Sequence, residues 1–174
     1  MTAQKRPGGA QALKPAPKRP ESTSGAPPAV SATGSSGTRA TTWRLWFPAQ
    51  PHGKGGRVVW RYPPNTNERR KMHHMAEARE VKAWRTEAAL LGGIIGRHQR
   101  IRVSAVVYRP RLGSADPDGD VSRVKPLLDG LVDAGVVPND THAHVEIGTV
   151  TEARSSDRPG EYPRGVELIV EVLA

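Results

Sequence analysis

Three aspartates stand at alternate positions in one short stretch, Asp116, Asp118 and Asp120 in A-D-P-D-G-D. Lys125 follows, Asp129 comes one helical turn later, and Asp140 closes the segment after a Pro-Asn turn. Carboxylate oxygens suit hard divalent cations, at about 2.0–2.6 Å per bond. In extended backbone, side chains two apart point the same way, about 7 Å apart at roughly 3.3 Å rise per residue. A D-x-D pair can therefore converge on one ion. Pro117 biases Asp116 toward an extended conformation, and Gly119 lets the chain turn sharply. Asp116 and Asp118 then lie just ahead of a helix N-terminus, whose dipole favours negative charge. The expectation is a divalent-metal site fed by aspartates from both ends of one helix, with Lys125 placed to contact a phosphate. The same residues have plainer readings. Acids before a helix are often caps, and Asp120 reads best as an N-cap. Lys125 and Asp129, four apart, could be a surface ion pair, or Asp129 could hold the lysine in place.

That helix is predicted over Val121–Ala134, from the apolar stripe Val124, Leu127, Leu128 and Leu131. Gly135 is a natural stop. Fourteen residues span about 21 Å, so Asp140 has to return along the helix to reach the other acids.

The elements around it are legible. T-W-R-L-W-F (42–47), ended by Pro48, and R-V-V-W-R-Y (57–62) read as strands. H-G-K-G-G (52–56) lacks the G-K-[ST] ending of a phosphate-binding loop and reads as a turn. A helix is expected from about Arg70 to Leu91, with Val81, Trp84, Ala88 and Leu91 on its buried face. Gly92-Gly93 ends it. Arg69, Arg70, Lys71, Arg79, Lys82 and Arg85 give it a basic exterior. His73 and His74 are adjacent, so they cannot share a helix face and make a poor metal pair. Ile101, Val103, Ala105 and Val107 alternate with polar neighbours in the clearest strand, and Pro110 ends it. Strands at 144–151 and 166–173 close the chain. The order predicts one α+β domain over 41–174, a small mixed β-sheet packed with helices.

Residues 1–40 contain no aromatic side chain, are rich in Pro, Gly, Ala, Ser and Thr, and carry six basic residues against one acid. They cannot bury enough surface to offset ordering entropy, and a disordered basic tail is expected. The whole chain of 174 residues holds 26 Lys+Arg and 17 Asp+Glu, a net charge of +9. That balance suits a polyanion, nucleic acid before membrane. With no cysteine, disulfides, zinc-cysteine sites and thiol catalysis are excluded. The longest nearly apolar run, 89–96, is too short to span a bilayer, and the N-terminus has no apolar signal core. A cytoplasmic protein is expected.

The acidic segment resembles the RusA-type Holliday-junction resolvases. Asp116-Pro117-Asp118 is similar to the family's Asp-x-Asp-Asn opening, Lys125 to its lysine and Asp129-Gly130-Leu131 to its Asp-x-Leu. Asn139-Asp140 is similar to its second acidic pair, with Asp140 in the functional place. G-L-V-D-A-G-V-V-P (130–138) looks like the actinobacterial and actinophage branch, and Pro63-Pro64-Asn65-Thr66-Asn67 resembles the entry near the family's N-terminus. The likeness covers about 42–173. It implies a homodimeric endodeoxyribonuclease of recombination and repair that cuts four-way DNA junctions symmetrically. Asp116, Asp118 and Asp140 would hold Mg²⁺ and Lys125 would assist at the phosphate. Arg69, Arg70, Lys71, Arg79 and Lys82, with strand residues such as Arg102, would bind DNA backbones. Gly119 stands where the family has Asn, and Asn139 where it has Asp. A second register pairs Asp118 with Asp120, closer to Lys125; Asp116 with Asp118 is preferred because D-P-D aligns without a gap. A catalytically degenerate relative that binds branched DNA without cutting is the alternative.

Overall fold

The computed structural model describes residues 30–33, 41–54, 57–113, 117–160 and 162–173. In chain order these form β1 (Val30–Thr33), β2 (Thr42–Pro48), β3 (Gln50–Lys54), β4 (Arg57–Arg61), α1 (Thr66–Arg69), α2 (His74–Gly92), β5 (Ile101–Arg109), α3 (Pro117–Asp133), β6 (Val145–Arg154) and β7 (Gly165–Val172). Five strands make one mixed sheet in the order β1-β2-β7-β5-β6, and β3 with β4 makes a separate pair. β6 runs parallel to β5 at one edge. The other neighbours in the large sheet are antiparallel. A parallel pair needs a crossover connection, and α3 supplies it. The fold is α+β, as the order of elements predicts.

The alternation read in β5 is the reason for the layering. Ile101, Val103, Ala105 and Val107 are buried on one face of the sheet, beside Leu45 and Phe47 of β2 and Leu168 and Val170 of β7. Trp84, Ala88 and Leu91 of α2 and the predicted stripe Val124, Leu127, Leu128 and Leu131 of α3 complete that core. The two helices meet at Gly130, where a Cβ would fall 2.5 Å from the Ala88 methyl and closer still to the Arg85 carbonyl oxygen. Arg85 pairs with Asp133 across the same contact, Nη2 at 2.6 Å. The opposite sheet face carries ion pairs. Arg102 bonds Glu146 at 2.8 Å and Glu171 at 3.4 Å, and Arg44 meets Glu167 at 3.2 Å.

Several boundaries differ from the sequence reading, each for a local reason. Val30–Thr33, inside the stretch assigned to the tail, pairs antiparallel with β2 and extends the sheet edge. The helix expected over 70–91 is α2 and starts four residues later, at His74, while the turn-rich entry before it holds a short helix of its own, α1. Asn65 and Glu68 form a reciprocal capping box that starts α1. The chain then breaks, and the His73 ring accepts from Met75 N to cap α2. Of the H-G-K-G-G turn, residues 52–54 belong to β3, and 55–56 lie outside the described residues. α3 starts at Pro117, four residues earlier than expected. Proline is well suited to the first helical position, where its missing N–H costs nothing.

Candidate functional site

The early start of α3 decides how its acids are placed. Asp118 and Asp120 lie within the first turn, so the extended D-x-D geometry does not hold for them. At 3.6 residues per turn, two positions apart is about 200° around the axis, and the two carboxylates face opposite ways. Asp120 is 4% exposed. It is gripped by Arg109 from the end of β5, Nη1 at 3.1 Å with a second, shorter bond from Nη2, and it accepts from Arg123 Nε at 3.2 Å. Asp120 is thus neither an N-cap nor half of a metal pair. Gly119 lies inside the helix with negative φ, not at a sharp turn. Asp116 lies outside the described residues.

Asp118 is exposed. Helical spacing puts it on one stripe with Ser122, Lys125 and Asp129, at steps of four, seven and eleven residues. Lys125 is about 10 Å further along the axis at 1.5 Å per residue. Its ammonium donates to Asp129 at 2.6 Å and also to Asp140. Partial burial works against the lysine's charge, but the hydrogen bonds to Asp129 and Asp140 outweigh it and raise the Lys125 pKa. The hydrogen bond from Lys125 lowers the Asp140 pKa in turn.

The return of Asp140 has a local cause. Gly135, at φ 74°, ends α3 with paired bonds, Gly135 N to Val132 O at 2.9 Å and Val136 N to Leu131 O at 3.0 Å. This is the glycine-closed reversal of a helix C-terminus. Val136 and Val137 are then buried, which anchors the returning chain. The Asn139 side-chain oxygen accepts from Thr141 N at 3.1 Å and Thr141 Oγ1 at 2.6 Å, fixing the turn that holds Asp140.

A cleft of about 380 Å³ opens beside this pair, between α3, the edge strand β6 and α1. Lys125, Asp140, Arg69 and His142 are among its lining residues. Ser122 and His142 are the polar cleft residues the sequence reading did not single out. His142, two positions after Asp140, was the one with a readable signal. α1 is clamped to α3 by two contacts. Thr66 N donates to Ser122 Oγ at 3.0 Å. Arg123 donates to Pro63 O at 2.7 Å and to Glu68 at 2.6 and 3.0 Å.

The basic residues assigned to DNA are only partly brought to this place. Arg69 lines the cleft and pairs with Glu77 at 2.7 Å. Arg70 and Lys71 lie exposed in the link between α1 and α2. Lys82 is exposed on α2, and Arg79 borders a different depression with Arg61 and Glu80. Arg102 is committed to Glu146 and Glu171 on the far face of the sheet.

Among the described residues, no three His, Cys, Asp or Glu side chains are grouped as a metal site, and no helix is long and apolar enough to cross a membrane. The chain matches no protein-family model and no curated protein.

Proposed function

We propose that the protein is a Mg²⁺-dependent endodeoxyribonuclease that hydrolyses phosphodiester bonds at four-way DNA junctions, acting as a cytoplasmic homodimer in recombination and repair. The observation that carries this reading is the junction of Lys125 with Asp140, fifteen residues apart, on the helix face that also bears Asp118. Oxygen donors of this kind fit Mg²⁺, and a cation, the Lys125 ammonium, already sits between Asp129 and Asp140. Asp118 and Asp140, with Asp116 from outside the described residues, would hold the metal. Bound there, it would polarise the phosphate and supply hydroxide as nucleophile at neutral pH.

The protein's own groups have separable roles in this reading. Lys125 donates to a non-bridging phosphate oxygen and steadies the negative charge that builds on it. Asp129 keeps the ammonium aimed. Arg69, at the cleft, and the exposed Arg70, Lys71, Arg79 and Lys82 contact the DNA backbone, which positions the strand without reading its sequence. The +9 net charge of the chain supports a nucleic-acid partner.

A second reading is favoured by Asn139. Its amide is turned onto Thr141 and it brings no charge, and Gly119 brings no side chain. A site short of one acid suits a relative that holds branched DNA without cutting it. Incubating purified protein with a synthetic four-way junction, with and without Mg²⁺, separates the two. Metal-dependent paired nicks support the nuclease. Tight junction binding with no nicks at any metal concentration supports the binder.

A further inference from the structure

The cleft beside Lys125 has walls that phosphodiester hydrolysis alone does not call for. Val124, Leu128 and Val145, all buried, form its floor. Val121 of α3 and Ile147 of β6 stand at its sides, 47% and 43% exposed. Apolar surface left in water is unfavourable in proportion to its area, and an apolar occupant removes that cost. The charged groups, Lys125 and Asp140 with Arg69, share the same cleft. The Lys125 ammonium has a third donor beyond those given to Asp129 and Asp140 and the Arg69 guanidinium has donors beyond the Nε bond to Glu77, so a ligand that suits the cleft offers an anionic group to these donors and an apolar body to the walls.

A nucleotide has this build, but only when its base is out of the stack. A paired, stacked base turns its faces to its neighbours and offers a cleft nothing but its polar edge. The space of about 380 Å³ lies at the small end of ligand pockets, roughly 300–1,000 Å³. That has room for one nucleoside and none for a duplex segment.

Resting on the nuclease reading above, we infer that this cleft is a subsite for a single unstacked nucleobase next to the phosphate held at Lys125. Extruding a base breaks pairing and stacking, which costs least where the base is already unpaired or poorly stacked. The subsite therefore favours DNA whose branch point presents a loosened nucleotide, and it gives the site a reason to prefer branches over plain duplex.

The test uses four-way junctions with 2-aminopurine at single positions around the branch, mixed with full-length protein in the absence of divalent metal. Backbone contacts sustain binding under these conditions, and no strand is cut. Fluorescence at one position should rise several-fold on binding as that base leaves the stack. Val121→Glu and Ile147→Glu, on separate elements and both at exposed positions, should each abolish the rise and lower junction affinity by less than about tenfold. Val121→Leu should keep the rise, and unchanged melting temperatures verify that the variants fold. Junction binding with no rise at any position, or a rise that survives both glutamates, overturns the subsite and leaves the nuclease reading standing. Absence of junction binding overturns the nuclease reading, and the subsite falls with it.

Discussion

Asp120 and Arg109 form a two-pronged ion pair, with both carboxylate oxygens engaged and each residue less than one-tenth exposed. The pair ties the first turn of α3 to the end of β5. Glu152 of β6 joins through Arg109, and Glu68 of α1 joins through Arg123. Four elements, three of which border the candidate cleft, thus share one network of charges.

Removing one member of a buried pair leaves the other charge uncompensated, at a cost of about 3–5 kcal/mol. Arg109 keeps Glu152 and Arg123 keeps Glu68, so Asp120→Ala should sit near the low end, about 3 kcal/mol. Urea unfolding of variant and wild type measures it. A loss below about 0.5 kcal/mol, the size expected of a surface site, would contradict the buried network.

Gly130 is the point of closest approach between α2 and α3. A methyl there meets the Arg85 carbonyl and the Ala88 side chain, and neither can move without shifting a helix. Gly130→Ala should destabilise by about 1–3 kcal/mol, as overpacking usually does, although alanine is the better helix former. An alanine variant as stable as wild type would show that the helices are further apart.

Glu87 on α2 is half-buried, and burial raises its carboxyl pKa. Below the ordinary glutamate value, about 4.3, it is protonated in folded and unfolded chain alike and burial costs little. As pH rises past that value the unfolded chain ionises first, so stability falls. The loss is complete once the folded carboxyl has ionised as well. Glu87→Gln should therefore raise the melting temperature at pH 7 and leave it nearly unchanged at pH 3. Equal shifts at both pH values would mean that ionisation is not the cause.

Much of the fold was readable because its signals are local. The alternation of Ile101 to Val107 and the stripe from Val124 to Leu131 depend only on each segment's own period, and both sets are buried as expected. The strand 42–47 ahead of Pro48 was readable for the same reason. The misplaced start of α3 came from giving Pro117 only its effect on the residue before it. Proline also opens helices, and that second preference moved Asp118 and Asp120 into the first turn. The short helix α1 had a signal in Asn65 and Glu68, three residues apart, which is the spacing of a capping box. Other features had no local signal. Arg109 and Asp120 meet across eleven residues, and Arg123 meets Glu68 across fifty-five. The parallel pairing of β6 with β5 depends on the path of the crossover. Asp140 was expected to return along α3 toward the other acids, but its ion pair with Lys125 and the Asn139–Thr141 turn that holds it had no local signal.

That turn makes Asn139→Asp a clean substitution. A carboxylate can accept from Thr141 N and Oγ1 as the amide oxygen does, while adding one negative charge next to Asp140. The Mg²⁺ concentration for half-maximal junction cleavage should fall several-fold, because more acids attract the ion more strongly. Metal titration of wild type and variant reads this directly, with circular dichroism to verify an unchanged fold. An unchanged or raised Mg²⁺ requirement would place the metal elsewhere.

The most direct measurement is Mg²⁺-dependent cleavage of a four-way junction by wild type and by Asp118→Asn, with an equal-length duplex as control and junction affinity measured alongside. Loss of a group that only supports a ligand costs about 10–100-fold, and loss of the ligand itself should exceed that. The wild type should cut the junction and spare the duplex. Asp118→Asn should cut at least roughly 100-fold more slowly and bind the junction within a few-fold of wild type, since lysine and arginine contacts dominate affinity. Cleavage by Asp118→Asn at the wild-type rate, or a folded wild type that binds junctions and never cuts them in Mg²⁺, would contradict the account.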